Sequence, residues 1–235
     1  MTFENIKGFA FDMDGVLADT AKFHSIAWRQ IAEEVGTTWT PELAENLKGI
    51  DRMGSLDLIL TTGGMADEYD LAAREALATK KNDNYRNLIS ELTPDDALPG
   101  MREFLAELKA AGYKMSIASA SKNAGFIVDR LGISDYFEAI VDPASVAAGK
   151  PDPAIFKAAA DVLNLAPEEV IGLEDSGAGI QSINGAGEMS VGIGDADALS
   201  DADILFASTK DVTLANIKLT GLSKKKALCL KTKFN

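Results

Sequence analysis

Two carboxylates close the first apolar run of the chain. In FAFDMDGVLADT, residues 9–20, Asp12 and Asp14 stand where a strand-like segment ends, with a glycine immediately after. Anions two residues apart at a strand end repel each other, so the position needs a positive partner or a reaction. Complementary groups recur farther along: Ser119 after YKMSIA, Lys150 in AGKPDP, and Glu174 with Asp175 after VIGL. Several carboxylates in one crevice raise each other's pKa unless a cation intervenes, and hard oxygen ligands on loops suit Mg²⁺. Serine, lysine and the metal would then surround an incoming phosphate. A carboxylate attacking phosphorus gives an acyl phosphate and splits one transfer into two, while the equatorial oxygens need Mg²⁺, lysine and backbone donors.

Taken singly, each residue has an ordinary explanation. Asp-x-Asp after a strand serves turns and helix caps, Glu174-Asp175 could cap a following helix, and Lys150 could be a solvated surface charge. The order Asp-x-Asp, strand-end Ser, Lys-Pro, strand-end Glu-Asp is hard to obtain by accident.

These residues converge only if the elements carrying them lie side by side. Strand-like runs at 8–11, 113–118, 139–141, 170–173, 190–193 and 204–206 alternate with helical patterns such as MREFLAELKAAG, NAGFIVDRLG and PAIFKAAADVLNL. That rhythm predicts an α/β fold, a doubly wound, Rossmann-like parallel sheet, in which ligands bind beyond the carboxyl ends of the strands. Between the first two strands lie about 100 residues, far more than a crossover helix requires. Residues 20–91 read as several helices, so an all-helical cap domain is expected at 19–92, inserted into a core of 1–18 and 93–235. On its first helix Phe23, Ala27, Gln30 and Ile31 form one stripe, and His24, Trp28, Ile31 and Val35 an adjacent one.

Composition narrows the class. The net charge is −13, yet residues 212–235 hold six lysines and no acid, which leaves −19 on the residues before them. Such acidity disfavours nucleic acid or an anionic membrane as partner. Lys224, Lys225, Lys226, Lys231 and Lys233 read as a solvated tail. Cys229 is alone, no basic-then-apolar leader opens the chain, and no apolar run nears the roughly 20 residues of a membrane span. A soluble, cytoplasmic protein is expected.

The motifs FDMDGVLADT, ASASKN, GKPDP and GLEDSGAGI resemble the haloacid dehalogenase-like phosphotransferases over residues 6–207. Within that family, DTAKFHSIAW, LKGIDRMGSL and KKNDNY are most similar to a branch of hexose-phosphate mutases. The resemblance implies a nucleophile at Asp12 and a general acid–base at Asp14, whose backbone carbonyl is also a metal ligand. It implies Mg²⁺ held by Asp12, Asp14, Glu174 and Asp175, with phosphate bound by Ser119 and Lys150. Ser121, Lys122 and Asn123 would meet substrate, and Arg52 beside Ser55 would clamp the phosphate not being transferred. His24 and Lys81 would approach when the cap closes, and Thr20, Trp28 and Gly49 complete the binding set. Asp51 stands where a small uncharged residue is expected, and pairing with Arg52 would weaken phosphate capture. The implied activity moves phosphate between C1 and C6 of β-glucose through a bisphosphate, in a monomer acting on small sugar phosphates. Two alternatives share the residues: a sugar-phosphate or phosphoglycolate-type phosphatase, and a phospho-accepting receiver domain, which the cap and Asp14 disfavour.

Overall fold

The computed structural model describes residues 3–48 and 50–220. Gly49, Cys229 and the lysines from 224 onward lie outside the described residues. The first strand, β1 (Gly8–Phe11), is buried along its whole length because both faces of the sheet are covered. Phe9 and Phe11 point to one side and Ala10 to the other, as a period of two requires. The remaining strands are β2 (Lys114–Ile117), β3 (Ala139–Ile140), β4 (Val170–Glu174), β5 (Met189–Ile193) and β6 (Ile204–Phe206). Among the described residues they form one six-stranded sheet of order β3-β2-β1-β4-β5-β6, with every pair parallel. The chain leaves β1 toward β2 on one side and returns to β4 on the other, so β1 lies at the switch in strand order, where an open α/β sheet forms its crevice.

The two faces carry separate clusters. Phe9, Phe11, Ile117 and Leu173 pack beneath α5 (Met101–Ala110) and α6 (Ala124–Leu131). Ala10 and Ala118 pack with Ile155 and Phe156 of α7 (Ala154–Val162) and Ile180 and Ile183 of α8 (Gly177–Ala186).

Between β1 and α5 the chain forms α1 (Ala21–Glu34), α2 (Pro41–Asn46), α3 (Arg52–Thr62) and α4 (Leu71–Ile89). These helices enclose their own apolar cluster of Trp28, Ile31, Leu43, Leu56, Ile59 and Leu60. The feet of α1 and α4 instead reach the cluster of the sheet through Ala27, Tyr85 and Ile89. The chain enters and leaves this helical segment at one place, where Ala18 bridges Ala97 and Leu98 N–H donates to Leu17 O at 2.9 Å.

Two expectations are corrected here. Gln30 is exposed and accepts from Asn84 Nδ2, so the buried stripe of α1 is Ala27, Trp28, Ile31 and Ala32. Asp51 does not pair with Arg52. Its Oδ1 accepts from Met53 N–H and Gly54 N–H at 2.9 and 3.0 Å, capping α3.

Candidate active site

The site is assembled at the carboxyl ends of β1, β2 and β4. Phe11 lies in register with Ile117 on one side and Leu173 on the other, which places Asp12 between Ala118 and Glu174. Lys150 enters from the loop before α7, and its Nζ lies 2.5 Å from both Asp12 Oδ1 and Glu174 Oε1. Glu174 is locked from its other oxygen: Oε2 accepts from Asp175 N–H, Ser176 N–H and the Ser176 hydroxyl at 2.8–3.0 Å. Ser176 Oγ in turn accepts from Gly179 N–H and caps α8.

Two glycines make this crowding possible. Gly15 has φ +80°, and a Cβ there would fall 2.0 Å from Asp175 Oδ2. A Cβ on Gly179 would fall 1.9 Å from the Glu174 carboxyl group.

Asp12, Glu174 and Asp175 bring carboxylate oxygens within 4.8 Å of one another. Burial pushes the Asp12 carboxyl up to about 8, against Lys150 and with help from Glu174 and Asp14. Asp175 is also raised well above the carboxylate range, first by burial and then by Glu174 and Asp12. Burial disfavours the Lys150 ammonium, but Asp12 and Glu174 outweigh it and hold the lysine charged. Excess negative charge on hard oxygen donors fits a divalent cation, because a cation offsets both the burial and the mutual repulsion that raise these acids.

A second group of side chains faces this centre from the helices. Asp14 is part-buried and accepts a short hydrogen bond from the Thr20 hydroxyl, and its Oδ1 lies 3.6 Å from His24 Nε2. Lys81 Nζ sits 2.6 Å from His24 Nδ1. Burial pushes the imidazole down to about 4, so it is neutral at pH 7, and a charged Lys81 makes Nδ1 the acceptor and Nε2 the protonated nitrogen facing Asp14. Lys81, lowered to about 7 by burial, lies over the rings of Trp28 and Tyr85 at 4.7 and 4.8 Å. It is aligned by the stripe Ala78, Lys81, Tyr85, Ile89 along α4, a helix whose start is capped by Asp70.

A cleft of about 1040 Å³ separates these helices from the sheet edge. Among the residues expected at the site, Asp12, Asp14, His24, Trp28, Arg52, Ser55, Lys81, Ser121, Lys122, Asn123, Lys150 and Asp175 line it. Thr20, Ser119 and Glu174 stand behind the lining. Ser119 Oγ accepts from Ser121 N–H at 3.1 Å, and Ser121 Oγ accepts from Asn123 N–H at 3.2 Å, so these hydroxyls shape the loop after β2. Gly49 lies outside the described residues. Two residues not singled out beforehand belong to the arrangement. Asn82 bonds to Arg52 and Asn123, and Tyr85 stacks on His24 with ring centroids 3.9 Å apart. Both sit in KKNDNY, one and four residues after Lys81, and the i, i+4 spacing is the signal that could have placed Tyr85 on the same face.

The profile of the haloacid dehalogenase-like hydrolases matches residues 6–187. The β-phosphoglucomutase of Bacillus subtilis is 44% identical over 209 residues, covering 89% of this chain and 92% of that protein. A phosphorylated carbohydrates phosphatase of Thermotoga maritima is 31% identical over 179 residues, covering 75% and 80%. The crystal structure of a β-phosphoglucomutase from Clostridium difficile superposes with a TM-score of 0.90 at 40% identity, covering 93% of this chain and 98% of that one.

Proposed function

The chain belongs to the haloacid dehalogenase-like hydrolase family, and from that premise we propose that it interconverts β-D-glucose 1-phosphate and β-D-glucose 6-phosphate. The reaction passes through an aspartyl-phosphate enzyme and β-glucose 1,6-bisphosphate. The observation that carries the reading is the pairing of a lysine-bound nucleophile, Asp12 against Lys150, with a second carboxylate, Asp14, hydrogen-bonded by Thr20 and 3.6 Å from neutral His24, in one cleft.

In the first half-reaction an Asp12 phosphate loses its phosphoryl group to the C6 hydroxyl of glucose 1-phosphate. The O6–P bond forms, the aspartyl O–P bond breaks, and Asp14 takes the hydroxyl proton. After the bisphosphate turns end for end, Asp12 attacks the C1 phosphate, the P–O1 bond breaks, and Asp14 returns the proton to O1. Asp12 must be ionised to attack, and Lys150, 2.5 Å away, favours that state. His24, neutral with its proton on Nε2, and Thr20 orient the Asp14 carboxylate toward the sugar oxygen. Mg²⁺ would be held by Asp12, Glu174, Asp175 and the backbone carbonyl of Asp14, and would there neutralise charge on the transferring phosphoryl oxygens. Arg52 and Asn123, with Ser121, Lys122 and Ser55 beside them, would receive the phosphate at the other end of the sugar. The proposed enzyme works as a cytoplasmic monomer on small sugar phosphates.

Mutase and phosphatase differ in what meets the aspartyl phosphate, and a 10³-fold preference for sugar over water is about 4 kcal/mol. Closure of α1, α3 and α4 over the bound sugar would supply it by excluding solvent. The test is a phosphorus NMR time course with β-glucose 1-phosphate and a trace of the 1,6-bisphosphate. Glucose 6-phosphate should greatly exceed inorganic phosphate. Stoichiometric inorganic phosphate would overturn the mutase in favour of a phosphatase.

A further inference from the structure

One carboxamide joins the two walls of the cleft. Asn82 Oδ1, on α4, accepts from Arg52 Nη2 at the start of α3 at 2.8 Å and from Asn123 Nδ2 in the loop after β2 at 3.0 Å. A guanidinium has only donors, so Arg52 assigns the carbonyl end of this amide. All three side chains line the cleft. Arg52 commits one of its five N–H groups to the bridge and Asn123 one of two, so each keeps donors for an anion. Sharing an acceptor removes rotamer freedom from both at once, and it does so only when α3, α4 and the loop after β2 are drawn together.

We propose that Asn82 is a positioning residue for the phosphate that is not being transferred: it gathers Arg52 and Asn123 into one preorganised donor set and makes that set conditional on closure of the cleft. The inference rests on the hexose-phosphate reading above and adds to it the residue that ties recognition of the distal phosphate to closure. A donor molecule without a distal phosphate does not use the set. Asn82 acts through Arg52 and Asn123 together, so its removal costs less once Arg52 is gone than it does in the wild type.

The experiment compares wild type, Asn82→Ala, Arg52→Ala and the double variant on β-glucose 1-phosphate and on acetyl phosphate, which has no distal phosphate. A hydrogen bond to a charged group implies a rise of about tenfold or more in KM for the sugar phosphate with Asn82→Ala. The fall in kcat/KM on acetyl phosphate should be smaller by a similar factor, and Asn82→Ala should cost less on the Arg52→Ala background than on wild type. Equal losses on both donors, additive losses, or an unchanged sugar-phosphate KM would each overturn the role. Asn82→Leu, which keeps the bulk on α4 without an acceptor, repeats the comparison in case alanine loosens the helix. Calorimetric dissociation constants for glucose 6-phosphate, with inorganic phosphate as control, read the same effect without turnover. A wild type that makes no sugar product refutes the mutase reading, whereas an Asn82→Ala protein that binds glucose 6-phosphate as tightly as wild type refutes the role of Asn82.

Discussion

Replacing Lys150 with methionine tests whether one ammonium holds the acidic centre together. Methionine keeps most of the lysine stem beside the Phe156 ring, whose centroid lies 5.1 Å from Nζ, and removes the charge. In the native protein Nζ is 2.5 Å from Asp12 and from Glu174, and the side chains of Lys150, Asp12 and Glu174 are 1%, 9% and 1% exposed. Taking one partner from a buried ion pair destabilises by about 3–5 kcal/mol, because the charge left behind has no solvent. At about 2–4 °C per kcal/mol for a chain of this size, the unfolding midpoint in EDTA should fall by roughly 6–20 °C. The sign of the pH dependence follows from Asp12, whose folded pKa already stands at about 8, above its ordinary 3.8, chiefly through burial. An acid raised on folding loses stability as pH climbs from the unfolded to the folded value, and losing Lys150 widens that window. The deficit should therefore deepen from about pH 7 to about pH 9, across the wild-type Asp12 pKa of about 8, where Asp12 ionises beside Lys150 but stays protonated without it. Saturating Mg²⁺ should restore part of it by supplying the missing positive charge. Scanning calorimetry of both proteins at the two pH values, with EDTA and with Mg²⁺, measures all of this. A variant that melts within about 2 °C of wild type at the higher pH in EDTA would refute the reasoning.

Asp12→Asn should lower turnover by several orders of magnitude with the fold intact, and fluoroberyllate with Mg²⁺ should form an adduct seen by fluorine NMR in wild type but not in the variant. Asp14→Asn should slow transfer from pre-phosphorylated enzyme to sugar by about 10²–10⁴-fold in a single-turnover quench, the usual worth of a general base; an unchanged rate removes that role. Because burial lowers Lys81 to about 7, KM for the sugar phosphate should rise as pH passes through that value, and Lys81→Met should flatten the profile. Glu188, beside the αL glycine that ends α8, is 4% exposed with both oxygens unpartnered among the described residues, and burial raises its pKa. Above an unfolded pKa of 4.5 it should therefore erode stability by up to about 1.4 kcal/mol per pH unit until its folded pKa is reached. Urea unfolding across pH should show that erosion reduced in Glu188→Met.

What the sequence makes legible is what local rules control. The apolar runs ending in Asp12, Ser119 and Glu174 announce strands, and parallel strands must present their ends together, so the acidic centre can be foreseen without coordinates. The stripe on α1 follows from helical spacing, although Gln30 shows its edge blurring where a polar side chain can find a partner on α4. Asp51 illustrates a competition that spacing cannot decide: the same carboxylate could pair with its neighbour or cap its own helix, and the free N–H groups of the first turn are nearer and better aimed. Asn82 was hidden because its partners lie 30 and 41 residues away on different elements, and no periodicity links them. Tyr85 reads as one more residue of a helical stripe, yet it reaches past the helices into the cluster of the sheet. Glu188 gave no sign at all, since a glutamate after a helix-ending glycine is ordinarily solvated.

The bridge between Ala18 and Ala97 bears on how this molecule can change over generations. A long excursion whose first and last residues already touch can be lengthened, shortened or exchanged without disturbing the register of the strands on either side. Substrate range could thus drift in the helices while the phosphoryl chemistry, anchored below the bridge, stays put. The freedom is bounded, because Ala27, Tyr85 and Ile89 plug the apolar cluster of the sheet from above. Any replacement segment must bring a stopper of its own, or the catalytic half opens to water.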